Sequence, residues 1–249
     1  MVQLKSSREI DVMAAGGRIL AATHEAVRQA VRPGVSTLDL DRVAETFIRS
    51  HTGATPSFKG LYGFPGSICA SVNEEIVHGI PSARRVLKEG DIISVDIGVH
   101  FGGLHTDAAR TVAVGEVDDE TVRLLRVTEA ALEAGLAQAK LGNHIGDIGA
   151  AIEGAVVKGG FVVVRDLVGH GVGHLMHEEP QVPNHGKPKR GMKLVAGLTL
   201  AVEPMVNAGS PNTRTLGDKW TVVTADGSRS AHFEHTVAVT AEGPRVLTR

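Results

Sequence analysis

Five short stretches of this chain bring together the side chains able to do chemistry. The first runs from Asp91 to Asp107, DIISVDIGVHFGGLHTD, and places Asp96 and Asp107 within one hairpin. Ile92, Ile93, Val95, Ile97 and Val99 make a β-branched run; the chain turns at Phe101-Gly102-Gly103 and returns toward Ala108–Val114. With a two-residue loop at Phe101-Gly102, residue 96 lies directly opposite residue 107. With a loop at Gly102-Gly103 the two are diagonal, still on one face, because side chains alternate with period 2. Directly opposed Cβ atoms stand about 4.5–5.5 Å apart. Two carboxylates that close raise one another's pKa unless a cation lies between them. One divalent ion, or a pair about 3.5–4 Å apart, satisfies both.

The other four stretches are Asn73–Pro81 with His78, Gly169–Pro180 with His170, His174 and His177, Leu200–Met205 with Glu203, and Ser230–Thr236 with His232 and Glu234. Glycines at 169, 171 and 173 oppose a helix, so two histidines one helical turn apart on a zinc-protease helix do not apply; they suit backbone packed close to a ligand. Glu203 closes an apolar strand, held extended by Pro204, and a carboxylate there needs a partner. Glu234 is expected in a strand over 232–240. Two Asp, two Glu and one His form a hard donor set suited to Mn, Fe(II) or Co rather than a thiolate zinc site. Such a centre lowers the pKa of a water to make a nucleophile, with a neighbouring carboxylate as general base.

The elements that must position these residues are partly legible. Ser6 and Glu9 have capping-box spacing, predicting a helix over 7–31 that Pro33-Gly34 stops. Further helices are expected over 37–50, 120–140 (capped by Asp118-Asp119, ending before Gly142) and 145–157. Residues 51–66 read as loop. Strands are expected over 67–72, 92–114 as a hairpin, 161–164, 199–202, 221–224 and 232–240. Gly34-x4-Asp39-Leu40 and Gly142-x4-Asp147-Ile148 repeat at an offset of 108 residues, each after a long helix, which suggests two related α/β halves in one domain, 1–249, with a site between them. A hydrophobic share of 42% permits a large core, and an aromatic share of 3% means aliphatic side chains must fill it. The net charge of -2 offers no footprint for nucleic acid and no basic membrane patch. Cys69 stands alone, which fits a reducing compartment. A cytoplasmic protein without signal region or membrane span is expected.

These residues, in this order, resemble the type I methionine aminopeptidases: Asp96 and Asp107 at a spacing of eleven, GHGVGH with a downstream HEEP, AVEP, and FEHT. The resemblance implies the α+β pita-bread fold, two pseudo-symmetric halves around a curved antiparallel sheet. It implies removal of the initiator methionine from nascent chains and peptides when the second residue is small, by dinuclear-metal-activated water attack, with Co, Mn, Fe or Zn as the ions. Asp107 and Glu234 would bridge the ions, Asp96 would chelate one, and His170 and Glu203 would complete the other, Glu203 also serving as general base. His78 and His177 would hold the scissile amide. A methionine pocket would be lined by Phe58, Leu61, Phe64, Cys69, His78, Met176, His177 and Trp220, thioether against aromatics. Asn73, Glu75 and Ser230 match a monovalent (Na or K) cation site. The family's habit is a monomer, working on nascent chains, some at the ribosome, with no nucleic acid or membrane partner.

This chain departs from the family pattern at Thr106, where the family commonly has Gly; its side chain is expected near the metals. Neither an N-terminal extension nor the insertion of type II relatives is expected. Val2 is small, so the chain's own Met1 is expected to be removed. Two other readings share the fold: an Xaa-Pro aminopeptidase or prolidase-like relative, disfavoured because no separate domain precedes the core, and a non-catalytic binding protein, disfavoured because every ligand is present.

Overall fold

The computed structural model describes residues 2–249; Met1, whose removal the resemblance implies, lies outside them. Helix α1, Ser7–Ala30, begins at the expected capping box: the Glu9 N–H donates to Ser6 Oγ, and the Ser6 N–H donates to the Glu9 carboxylate. Helix α2 spans Thr37–Arg49, α3 Asp119–Leu136 and α4 Ile145–Lys158. α3 stops short of Lys140 because the Asn143 side chain donates to the Gln138 carbonyl and folds the chain into a turn. The 108-residue repeat is structural. Asp39 and Asp147 accept from the backbone N–H groups of Ser36 and His144, opening α2 and α4, and Ser36 and His144 each make an isolated bridge, to Val86 and Lys193.

The strands are β1 Ala54–Pro56, β2 Ile68–Val72, β3 Glu75–Val77, β4 Ile92–Phe101, β5 Leu104–Ala113, β6 Val162–Val163, β7 Val168–Gly171, β8 Glu178–Pro183, β9 Thr199–Val202, β10 Met205–Asn207, β11 Thr213–Thr215, β12 Val222–Thr224, β13 Ser230–His232, β14 His235–Thr240 and β15 Gly243–Val246. All pairings between these strands are antiparallel. One large sheet has the order β1-β4-β2 with β5 on β4, the other β15-β14-β9-β7-β8; β13-β10-β6 and β11-β12-β3 are smaller. α1 and α2 cover the first through Leu20, Leu40, Ile68 and Ile97, while α3 and α4 cover the second through Leu132, Ile152, Leu200 and Val237.

The two halves meet where β5 runs beside β13 and β14. Thr236 Oγ1 donates to the Asp107 carbonyl at 2.8 Å, Glu234 N–H to the Ala109 carbonyl at 2.9 Å, and Thr111 Oγ1 to the His232 carbonyl at 2.8 Å. Thr111 and Thr236 each open the sequence Thr-Val-Ala-Val, so this seam is a local two-fold. Under it Asp107 is the counterpart of His232, and Ala109 of Glu234.

Two expectations change. The run 232–240 is not one strand: it breaks at Phe233-Glu234 between β13 and β14. Residues 51–66 contain β1, an edge strand whose Pro56 costs no ladder bond there. The C-terminal end closes over β14. Leu247 N–H donates to the Thr236 carbonyl, Thr236 N–H donates to Thr248 Oγ1, and Thr248 is fully buried. Among the described residues, no helix is long and apolar enough to cross a membrane.

Candidate metal centre

Gly102 and Gly103, at φ 60° and 83°, make the two-residue turn of the β4–β5 hairpin, a conformation that favours glycine at both positions. The register therefore pairs Gly98 with Asp107 and Asp96 with Ala109. The two aspartates are diagonal on one face, which decides between the two loops the sequence allows. Thr106, one residue from Asp107, faces the other way. Its Oγ1 stands 3.4 Å from the Val99 carbonyl, and an added Cβ on Gly16 of α1 would come within 3.6 Å of it. Its side chain is thus packed under α1, not beside the centre as expected.

Across the seam, Glu203 follows β9 directly and Glu234 occupies the break between β13 and β14. The break has a purpose: freed from strand pairing, Phe233-Glu234 still has its Glu234 N–H tied to Ala109, which holds the carboxylate beside that of Asp107. His170 lies at a bulge in the β7–β8 pairing. Its Nδ1 is 2.9 Å from the Gly171 carbonyl, so Nδ1 carries the hydrogen and Nε2 presents a lone pair. That Nε2 stands 3.7 Å from Asp107 Oδ2 and 3.6 Å from Glu203 Oε1.

The donor set fits divalent ions. Asp107, His170 and Glu234 offer ligand atoms within 4.8 Å of one another, and so do Glu203, His232 and Glu234. Oδ1 of Asp96, Oδ1 of Asp107 and Oε1 of Glu234 are buried with no hydrogen-bond partner among the described residues. Buried acceptors of this kind are costly unless a cation or proton meets them. Burial pushes Asp96 up to about 7, and burial together with the neighbouring carboxylates pushes Asp107 and Glu234 well above the carboxylate range. The protein alone thus stores protons where ions would sit.

A cavity of about 330 Å³ opens onto these ligands. Phe58, Leu61, Phe64, Cys69, His78 and Trp220 line it as expected by type, with Phe64 and Trp220 edge to face at 5.1 Å. Met176 does not line it; that side chain is buried in the apolar cluster behind Phe58 and Phe64. Tyr62, Leu167 and Met205 line it without having been foreseen. Tyr62 is largely exposed and stacks on His177 at 5.9 Å, at the rim. His177 in turn packs edge-on against His170 at 4.6 Å. Burial lowers His177 to about 4 and lowers His78 also, so both imidazoles are neutral at pH 7.

The loop carrying His177 is pinned from the N-terminal segment. Lys5 Nζ, buried, pairs with the buried carboxylate of Glu178, whose Oε1 also accepts from Leu175 N–H at 3.0 Å. Glu9 of α1 reaches His174 at 3.1 Å.

Asn73 and Ser230 are neighbours, with Ser230 N–H donating to the Asn73 carbonyl. The Glu75 carboxylate, however, accepts from Val72 N–H at 2.7 Å, and Asn73's side chain bonds Asp91 and Ile92. These side-chain oxygens are already engaged within the protein. His232 is the site residue that sequence reasoning passed over. It is 1% exposed, its Nε2 has no hydrogen-bond partner among the described residues, and it stands 3.3 Å from Glu203 Oε2. The signal that could have found it is the doubled Thr-Val-Ala-Val, which makes it the counterpart of Asp107.

The profile of metallopeptidase family M24 matches residues 11–241. A methionine aminopeptidase of Clostridium perfringens is 53% identical over 248 residues, covering 100% of this chain and 99% of its own length. The crystal structure of a methionine aminopeptidase from Thermotoga maritima superposes with a TM-score of 0.98 at 43% identity, covering 100% of both chains. An Xaa-Pro dipeptidase from Bacillus anthracis shares the fold at a TM-score of 0.79 and 24% identity, with this chain covering 62% of it.

Proposed function

The chain belongs to metallopeptidase family M24 and acts as a methionine aminopeptidase, and from that premise we propose how its residues do the work. Asp96, Asp107, His170, Glu203 and Glu234 would together hold the divalent ions. The observation that carries this reading is the set of orphaned buried oxygens on Asp96, Asp107 and Glu234 around one cavity mouth. Bound ions supply Lewis acidity toward the scissile carbonyl and the substrate's free α-amino group, and lower the pKa of a water.

The rest is done by side chains. The Met side chain enters the cavity between Phe64, Trp220 and Cys69, where apolar walls exclude water and match a thioether. Glu203 sits at the mouth and takes the proton from the attacking water, then returns it to the leaving amine. A neutral imidazole has one N–H and one bare nitrogen, so His177 can donate to the peptide's carbonyl oxygen and His78 can accept from its amide N–H; the His177 bond strengthens as negative charge develops on that oxygen. Asn73, Glu75 and Ser230 remain a proposal for a monovalent cation through backbone oxygens. The reading extends to one catalytic domain over 1–249, a cytoplasmic monomer acting on nascent chains with a small second residue, with the physiological ion among Mn, Fe, Co and Zn set by supply.

The experiment is hydrolysis of Met-Ala-Ser, Met-Glu-Ser and Ala-Pro-Ser by chelator-stripped protein with Mn or Co restored. Metal-dependent release of Met from the first peptide alone is expected. Cleavage of Ala-Pro-Ser would refute it.

A further inference from the structure

One buried group in the centre has no task in the mechanism above. His232 lies at the end of β13, with its backbone locked on both sides: His232 N–H donates to Thr111 Oγ1 at 2.8 Å, and Thr111 Oγ1 donates to the His232 carbonyl at 2.8 Å. It is the counterpart of Asp107 under the local two-fold, and its side chain reaches the acids of the centre rather than joining either aliphatic core. Its Nε2 stands 3.3 Å from Glu203 Oε2 and 3.9 Å from Glu234 Oε2.

Glu203 is correspondingly underheld. Asn184 Nδ2 donates to its backbone carbonyl at 3.0 Å, but no hydrogen bond is made to its side-chain oxygens among the described residues. Oε1 faces His170 and Oε2 faces His232, so the carboxylate lies between two imidazoles. The His170 nitrogen there is a lone pair, because its hydrogen is committed to the Gly171 carbonyl. It cannot orient Glu203. His232 Nε2, 3.3 Å from Oε2 and without another hydrogen-bond partner among the described residues, is placed to donate to it.

We propose that His232 is the positioning residue of Glu203: its Nε2–H donates to Glu203 Oε2, fixing the carboxylate so that Oε1 stays on the His170 side, where an ion would be held. A carboxylate that must be both ligand and proton acceptor needs its two oxygens distinguished. A donor on one of them does this, and loss of such a donor costs about 10–100-fold in metal affinity or activity. The inference rests on the metal-centre reading given above.

The test compares His232→Ala with His232→Gln in the full chain, since Gln keeps an N–H at similar reach but not an imidazole. Three readouts are taken: Co affinity by calorimetry, the visible absorption of the Co-loaded protein, and kcat against KM on Met-Ala-Ser. His232→Ala should weaken binding of one ion and lower kcat by about 10–100-fold with KM little changed, and alter the Co spectrum. His232→Gln should restore all three to within about threefold of the parent. The thermal melt of each metal-free variant shows whether it is folded; if His232→Ala fails to fold, His232→Leu takes its place and is read the same way. Parent-like behaviour of the Ala or Leu variant overturns the proposal. So does equal loss in the Gln variant, which would make the imidazole nitrogen itself a ligand. His170→Ala is the control for the underlying reading. If it leaves Co stoichiometry and spectrum unchanged, the metal centre is misassigned, and that failure is distinct from a failure confined to His232.

Discussion

At the scale of single residues, Glu203 and His177 separate cleanly. Glu203→Gln keeps the volume and removes the base. Turnover should fall by at least about 10³-fold while the circular dichroism and thermal melt stay near those of the parent. Persistence of turnover would take Glu203 out of proton transfer. His177→Ala should lower kcat more than it raises KM, since its donated bond tightens only as the carbonyl becomes tetrahedral. The acids titrate where it matters. Burial raises Asp96 to about 7 in the metal-free protein and raises Asp107 and Glu234 as well. A folded pKa above the unfolded one means the native state holds more protons, so stability falls as pH rises through that window. His24 and His235, lowered to about 3 by burial, and His105 and His177, lowered to about 4, act oppositely, but their contribution levels off within about a unit above the unfolded value of 6.5, while the raised acids go on losing protons. Metal-free protein should therefore lose melting temperature from pH 6.5 to 8, and bound metal should abolish the loss. A metal-free melt rising over that range would contradict the raised acids. The acids and the histidine that the structure gathers around the cavity were legible because each carries its own local sequence pattern. His232 was not, because its meaning lies in a partner residue on another strand.

At the scale of elements, the loop over 173–178 is held from outside itself. Lys5→Met leaves the Glu178 carboxylate buried and unpaired, which should cost about 3–5 kcal/mol, whereas Lys5→Met with Glu178→Gln should recover most of it. Denaturant unfolding of the two variants measures this. In both, kcat should fall, since the segment bearing His177 has lost its tether to the N-terminal strand-like segment. Glycines in β7 follow similar logic. A Cβ on Gly169 would stand 2.4 Å from the Ala201 carbonyl oxygen, so Gly169→Ala must push β7 from β9 and displace His170. Weaker Co binding with the fold retained would show it. The starts of α1, α2 and α4 fall where the sequence places them, because their capping boxes are local, while α3, capped by Asp118 alone, starts one residue earlier than expected. β8 was not readable, since Pro180 and Pro183 argue against a strand, and only an edge position, which β8 has, tolerates them. The strand break at Glu234 escaped notice for the same reason: alternation continues through it, and the interruption is imposed by β5.

At the scale of the whole molecule, the proposed ligands come from both halves, Asp96 and Asp107 from one and His170, Glu203 and Glu234 from the other. Ion binding would therefore bridge the halves. Metal at 100 times its Kd should add about 2.7 kcal/mol, raising the melting temperature of a chain this size by several degrees. A melt indifferent to chelation would mean that the centre does not clamp the seam.

The C-terminal end adds a consequence of its own. Glu234 is aligned by a strand whose partners include Leu247 and Thr248, the latter fully buried in its hydrogen bonds to Thr236 and His235. Leu247 and Thr248 thus brace, from behind, the segment that carries Glu234, so a change far from the cavity can reach the centre through Thr236.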